Sequence, residues 1–211
     1  MSLVLYRLAG SPNNLKVETA LRYKEIPFEA HDATPHDRRA VLEATGQPLM
    51  PAIVHDGRTL FDSSAILRYL DANFPGTKPL FARDFEGMKA IERWETLARN
   101  EWIRPTGLVF RQAIADAPDL DVCAEARRLA TTLSEPLEAE LSGRDWLVGS
   151  TMTAADVVGA CSWIYASLPA WLKKSGPLQG FFAEQLRFEA PRPAMERWIA
   201  RVAAYAEPLP A

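Results

Sequence analysis

The sequence predicts a two-domain chain, a small α/β unit over residues 1–77 followed by an all-helical unit over residues 84–211. Three observations predict it. The front third alternates short strand-like runs with helical spacings, strand patterns vanish beyond about Asp84, and the turn-forming run Asn73-Phe74-Pro75-Gly76-Thr77-Lys78-Pro79 separates the two regimes.

Taken in order, Leu3-Val4-Leu5-Tyr6 is continuously apolar and is punctuated by Gly10-Ser11-Pro12-Asn13-Asn14, so a buried strand ends in a turn there. Leu15, Val17, Ala20 and Leu21 then recur at helical spacing through Tyr23, Pro27 stops that helix, and Phe28 to His31 reads as a second strand, completing a βαβ unit. A charged helical stretch lies near Arg38 to Ala44. Ala52 to His55 and Arg58 to Phe61 flank Asp56-Gly57, the two-residue signal of a hairpin. Asp62-Ser63-Ser64 opens a helix with Ile66, Leu67 and Leu70 on its apolar face. Beyond the turn-forming run, Met88, Ile91, Trp94, Leu97 and Ala98 share one face of a long helix, with a bend expected at Pro105, where an amide donor is lost. A further helix is expected between Leu120 and Leu141. Thr153-Ala154-Ala155-Asp156 is a capping-box variant before a buried helix carrying Val157, Ala160, Cys161 and Ile164, and a last helix runs from about Pro193 to Ala204.

Composition narrows the function. Charges are balanced in both parts, 8 basic against 9 acidic side chains over residues 1–77 and 16 against 18 beyond, whereas nucleic acid as a partner demands a concentrated basic surface. Cys123 and Cys161 show no ligand or disulfide spacing, and His31, His36 and His55 are scattered, so no metal is expected. The amino terminus lacks a signal-peptide pattern, and the longest uncharged stretch, Val157 to Leu172, falls short of a bilayer span, so no membrane partner is expected and a cytoplasmic setting is.

Three loops carry the candidate chemistry. Ser11 places a hydroxyl at the start of the first helix, where unpaired amides favour an anion. In thioredoxin-type redox proteins that turn holds two cysteines; here it holds none, so any sulfur must arrive with a ligand. Met50-Pro51 stands directly before a strand, where a cis bond would present the Met50 main chain to an extended peptide. Asp62-Ser63 offers a carboxylate, a hydroxyl and helix-start amides to the ends of a small zwitterion. Each of these is an ordinary turn or cap residue when taken alone; in register, they favour one bound peptide. Thr153 and Asp156 are explained by capping. Trp102, Phe110 and Arg111 are candidates for an apolar pocket, with core packing the commoner use of such aromatics.

Gly10-Ser11-Pro12-Asn13 with Lys16-Val17, Met50-Pro51-Ala52-Ile53, Asp62-Ser63-Ser64-Ala65-Ile66 and Thr153-x-x-Asp156 together resemble the cytosolic glutathione transferases over nearly the whole chain. The resemblance implies a thioredoxin-like glutathione-binding domain plus an all-α helical bundle, with glutathione as co-substrate, a small apolar electrophile in a pocket to which the helical domain contributes, and a homodimer. It implies Ser11 and Asn13 as catalytic residues and Gln47, Met50, Pro51, Asp62 and Ser63 as the glutathione site. Leu49 departs from the family, which commonly has Lys or Gln there; Gln47, His36 or Arg38 are the candidate replacements. The leading expectation is conjugation of glutathione to an electrophilic carbon. A glutathione-dependent disulfide reductase or peroxidase, and a non-catalytic binding protein that keeps the fold, are the alternatives.

Overall fold

A computed structural model of the chain describes residues 2–173 and 176–206. The chain divides into two compact units between Ala82 and Arg83.

The front unit runs β1 (Leu3–Arg7), α1 (Pro12–Tyr23), β2 (Glu29–Asp32), α2 (Arg39–Thr45), β3 (Ala52–His55), β4 (Arg58–Phe61) and α3 (Ser63–Asn73). Its sheet has the order β2-β1-β3-β4, with β1 and β2 parallel and the other neighbours antiparallel. Parallel strands need a crossover, which α1 provides; the antiparallel pair β3–β4 needs only a tight turn. Asp56 and Gly57 both take positive φ, 48° and 77°, as the primed hairpin turn requires. Leu3, Leu5, Ala52 and Ile53 of the central strands are buried together with Leu21 of α1 and Ile66, Leu67 and Leu70 of α3. β2 is an exposed edge, tied to β1 by its ladder and by Arg7 donating to Asp32 at 2.6 Å.

The run Asn73 to Pro79 ends α3 as its turn formers dictate, but it does not come loose from the front unit. Lys24, nearly fully buried, donates to Asp71 Oδ1 at 2.7 Å and to the Lys78 carbonyl at 2.8 Å. The Leu80 and Phe81 amides donate to the same Asp71 carboxylate at 2.8 and 3.3 Å, Leu80 is fully buried, and Arg68 lies over the Phe81 ring. Turn composition marks where a helix stops. Whether the following chain detaches depends on tertiary partners, and here a buried charge pair holds it to the front unit, with the division after Ala82, inside the interval 78–83 that separates the two expected units.

Among its described residues the second unit contains helices and no strand: α4 (Phe85–Leu97), a π-helical turn (Ala98–Trp102), α5 (Ile103–Ala113), α6 (Leu120–Glu140), α7 (Ala154–Trp163), α8 (Ala170–Lys173), α9 (Pro177–Gln185) and α10 (Pro193–Ala203). The irregularity expected at Pro105 lies just upstream of it. Pro105 has no N–H for the Glu101 carbonyl, and the hydrogen bonding widens before it, with the Ile103 amide donating to the Ala98 carbonyl. α8 and α9 lie in a stretch where the sequence suggested no element.

Every residue of α7 is buried. Asp156 organises its start: one carboxylate accepts from the Thr153 amide (2.8 Å), the Thr153 hydroxyl (2.9 Å), the Leu147 amide (2.8 Å) and the Trp198 indole N–H (2.9 Å). Burial pushes its pKa up, and these bonds oppose that shift. Further along, a Cβ on Gly159 would meet Trp198 Cη2 at 2.9 Å and Trp102 Cζ3 at 3.0 Å, so only glycine allows the two indoles to close on the helix. Among the described residues no helix is long and apolar enough to cross a membrane.

Candidate glutathione site

The three loops singled out in the sequence lie at one end of the sheet, and strand register is the reason. Tyr6 is paired with Ala52, and Ala52 with Phe61. From that row, β1 runs on into the Ser11 turn, β3 is entered from Met50-Pro51, and β4 leads directly into Asp62. Because β3 is antiparallel to both neighbours, its start and their ends share an edge. Strands stand about 4.8 Å apart, so the row spans on the order of 10 Å, the length of an extended tripeptide.

Ser11 is the N-cap of α1, with φ −65° and ψ 133°, yet its hydroxyl makes no capping hydrogen bond. The turn is held by other atoms. The Ser11 amide donates to the Leu8 carbonyl (3.1 Å), the Ser11 carbonyl accepts from Asn14 and Leu15 (3.0 and 2.9 Å), and Asn14, 1% exposed, accepts the Leu8 amide on its side-chain oxygen at 3.1 Å. The half-buried Ser11 hydroxyl is thus placed at a positive helix start without being needed there. Asn13 is exposed, and its Oδ1 accepts from the buried Lys16 ammonium at 2.9 Å.

The Met50-Pro51 bond is cis, with Met50 half-buried and Pro51 buried. Asp62 holds φ 71° and ψ 117°, outside the regions open to ordinary side chains, at a cost of about 1–3 kcal/mol. One carboxylate oxygen caps α3 through the Ala65 amide at 3.0 Å, and Ser63 is buried behind it.

Gln47 is engaged within its own loop. Its Oε1 accepts the Leu49 amide (2.5 Å), and its Nε2 donates to the Leu49 carbonyl and the Thr45 hydroxyl (3.1 Å each), so both ends of the amide brace the loop before Met50. Leu49 itself is 58% exposed. Arg38 reaches the same loop, donating from Nη1 to the Pro48 carbonyl at 3.3 Å.

In the helical unit, Trp102 is 4% exposed and belongs to an aromatic row in which the Trp94–Trp102, Trp102–Trp163 and Trp163–Phe188 centroids lie 5.7, 6.2 and 5.8 Å apart. It is a core residue. Phe110, 43% exposed, and Arg111 stand on the outer side of α5.

Sequence reasoning missed the burial and the contacts of Asn14 and Lys16 and the strained backbone of Asp62. The visible trace of the first two was a pair of polar side chains among apolar positions of a short helix, which reads equally as a solvated face. No local signal announces positive φ at an aspartate.

A mixed four-stranded sheet, a cis-proline entering its third strand and a polar, thiol-free turn before its first helix define a thioredoxin-like domain, here followed by a helical one. The family models "Glutathione S-transferase, N-terminal domain" and "Glutathione S-transferase, C-terminal domain" match residues 5–78 and 109–205. Glutathione S-transferase 3 of Zea mays is 29% identical over 216 residues, covering 95% of this chain and 94% of that protein. Among solved structures, a glutathione S-transferase from Rhodospirillum rubrum aligns with a TM-score of 0.76 at 24% identity, over 96% of this chain and 88% of that one. Another, from Methylobacterium radiotolerans in complex with glutathione sulfonate, aligns with a TM-score of 0.66 at 23% identity, over 90% of this chain and 97% of that one. The chain belongs to the glutathione S-transferase family and is a transferase of that family.

Proposed function

We propose that the chain binds glutathione along the Tyr6–Ala52–Phe61 edge and activates it for attack on an electrophilic carbon of a small apolar substrate. The observation that carries this reading is the Ser11 hydroxyl, set at the start of α1 and released from capping. The cysteinyl main chain pairs with Met50, before Pro51; the γ-glutamyl end meets Asp62, Ser63 and the α3 amides; the sulfur meets Ser11 and Asn13.

The chemistry follows from the thiol. Free thiols titrate near 8.5, so only a few per cent is thiolate at neutral pH. A hydroxyl donating to the anion contributes about 1.5–3 kcal/mol and the helix start roughly 0.3–1 kcal/mol. At about 1.36 kcal/mol per pH unit, the sulfur becomes largely ionised near neutrality, its proton passing to solvent. The thiolate then forms the carbon–sulfur bond as the leaving group departs with its electron pair. Ser11 acts as a donor and not as a base. The electrophile is assigned to the helical unit, with the exposed Phe110 and Arg111 as its candidates and Trp102 shaping the core beneath. A homodimer and a cytoplasmic setting accompany this reading by family resemblance, and light scattering tests the first.

Arg38 is the anchor we assign to the glycyl carboxylate. Both ends of the Gln47 amide are engaged, whereas Arg38 uses Nη1 on the Pro48 carbonyl and retains the rest of a guanidinium suited to a carboxylate.

Steady-state conjugation of an aryl halide tests the reading. Ser11→Ala is expected to lower kcat/KM about 10–100-fold, as loss of about 1.5–3 kcal/mol requires; unchanged turnover removes Ser11 from the mechanism. Arg38→Ala is expected to raise KM for glutathione with kcat nearly preserved. Activity on mixed disulfides alone would favour the reductase. Leu49 is exposed where the family commonly has a polar anchor, and calorimetry showing no binding at several millimolar glutathione would overturn the reading.

A further inference from the structure

Lys16 lies one helical turn beyond Asn13 and is 4% exposed, and its ammonium donates to Asn13 Oδ1 at 2.9 Å. An ammonium has donors only, whereas a carboxamide has an acceptor oxygen at one end and N–H donors at the other. Their contact therefore decides which end of Asn13 is tethered. The oxygen faces Lys16, and the Nδ2 hydrogens are the end left for a ligand at the helix start, where Asn13 is exposed. The other charged groups of this region have partners of their own: Glu18 is paired with Arg7 at 2.5 Å and lies 3.9 Å from Arg22, and Asp62 caps α3.

We propose that Lys16 is a positioning residue for the thiolate. By holding Asn13 Oδ1 it makes Asn13 a donor-only group towards the sulfur, so the site supports the anion and presents no amide acceptor to an S–H. This rests on the glutathione reading above. Without the lysine, the terminal torsion of Asn13 has broad, roughly two-fold wells, and the amide can turn its oxygen to the sulfur, which favours the neutral thiol. A lysine with a merely structural role would lower Tm on removal and leave the ionisation of a bound thiol where it was.

The test is the ultraviolet absorbance of bound glutathione thiolate followed across pH in the full chain. Lys16→Met is expected to move the midpoint of thiolate formation up by about one pH unit, Lys16→Arg to keep it within a few tenths, and Lys16→Met to add nothing in an Asn13→Ala background. Lys16→Gln serves as the second neutral variant if circular dichroism shows that Lys16→Met has not folded. A midpoint unmoved in the neutral variant, or an equal shift with and without Asn13, overturns the proposal, the second outcome meaning that the ammonium acts through its charge alone. A wild-type titration with no bound-thiolate band overturns the glutathione reading and this one together; a normal wild-type titration that Lys16→Met leaves unmoved overturns only this one.

Discussion

The starts of α1 and α7 are built from the same kinds of residue and are used in opposite ways. At α7 the Asp156 carboxylate meets two backbone amides, a hydroxyl and an indole, all within the protein. At α1 the N-cap Ser11 contributes no side-chain bond to its own helix, and the neighbouring Asn14 and main-chain bonds hold the turn in its place. A polar group whose bonds are all satisfied internally works for the fold. One that the fold positions and then leaves uncommitted is available for a ligand, and the strained Asp62 at the start of α3 lies between these cases, capping with one oxygen from a costly backbone conformation.

That contrast is broken or sharpened by measurement. The largest effect is expected from Asp156→Ala, which strands a buried indole N–H and two amides; a loss of about 3–5 kcal/mol, read by chemical denaturation, is expected, and a loss below about 1 kcal/mol would remove Asp156 from its place at the centre of the helical unit. Gly159→Ala comes next, at about 1–3 kcal/mol, because the new methyl meets two indoles that are themselves closely packed. The smallest is Ser11→Ala, within about 0.5 kcal/mol of wild type in stability while conjugation falls as described above. A Ser11 variant that unfolds as readily as the Asp156 variant would place both helix starts in the same structural role.

Much of the front unit was legible in sequence because its signals are local. An apolar run of four residues before Gly10-Ser11-Pro12 reads as a strand meeting a turn, and Asp56-Gly57 requires little beyond its own backbone to make a hairpin. Thr153-x-x-Asp156 announced the start of α7 in the same way. The break between units was less legible, since Asn73 to Pro79 records the end of a helix and says nothing of Lys24, distant in sequence, whose ammonium retains that segment. α8 and α9 escaped because short helices rich in apolar residues leave no period to read.

By itself the sequence determined the element types of the front unit, the polar and thiol-free character of the turn at Ser11, and the presence of Met50-Pro51 and Asp62-Ser63, because propensity, turn chemistry and side-chain identity act over a few residues. Only the tertiary structure decided that these loops share one end of the sheet, that Gln47 braces its own loop while Arg38 reaches it, and that Lys16 faces Asn13. Strand register, burial and the pairing of distant charges are set by the packing of the whole unit, and no short stretch of chain contains that information.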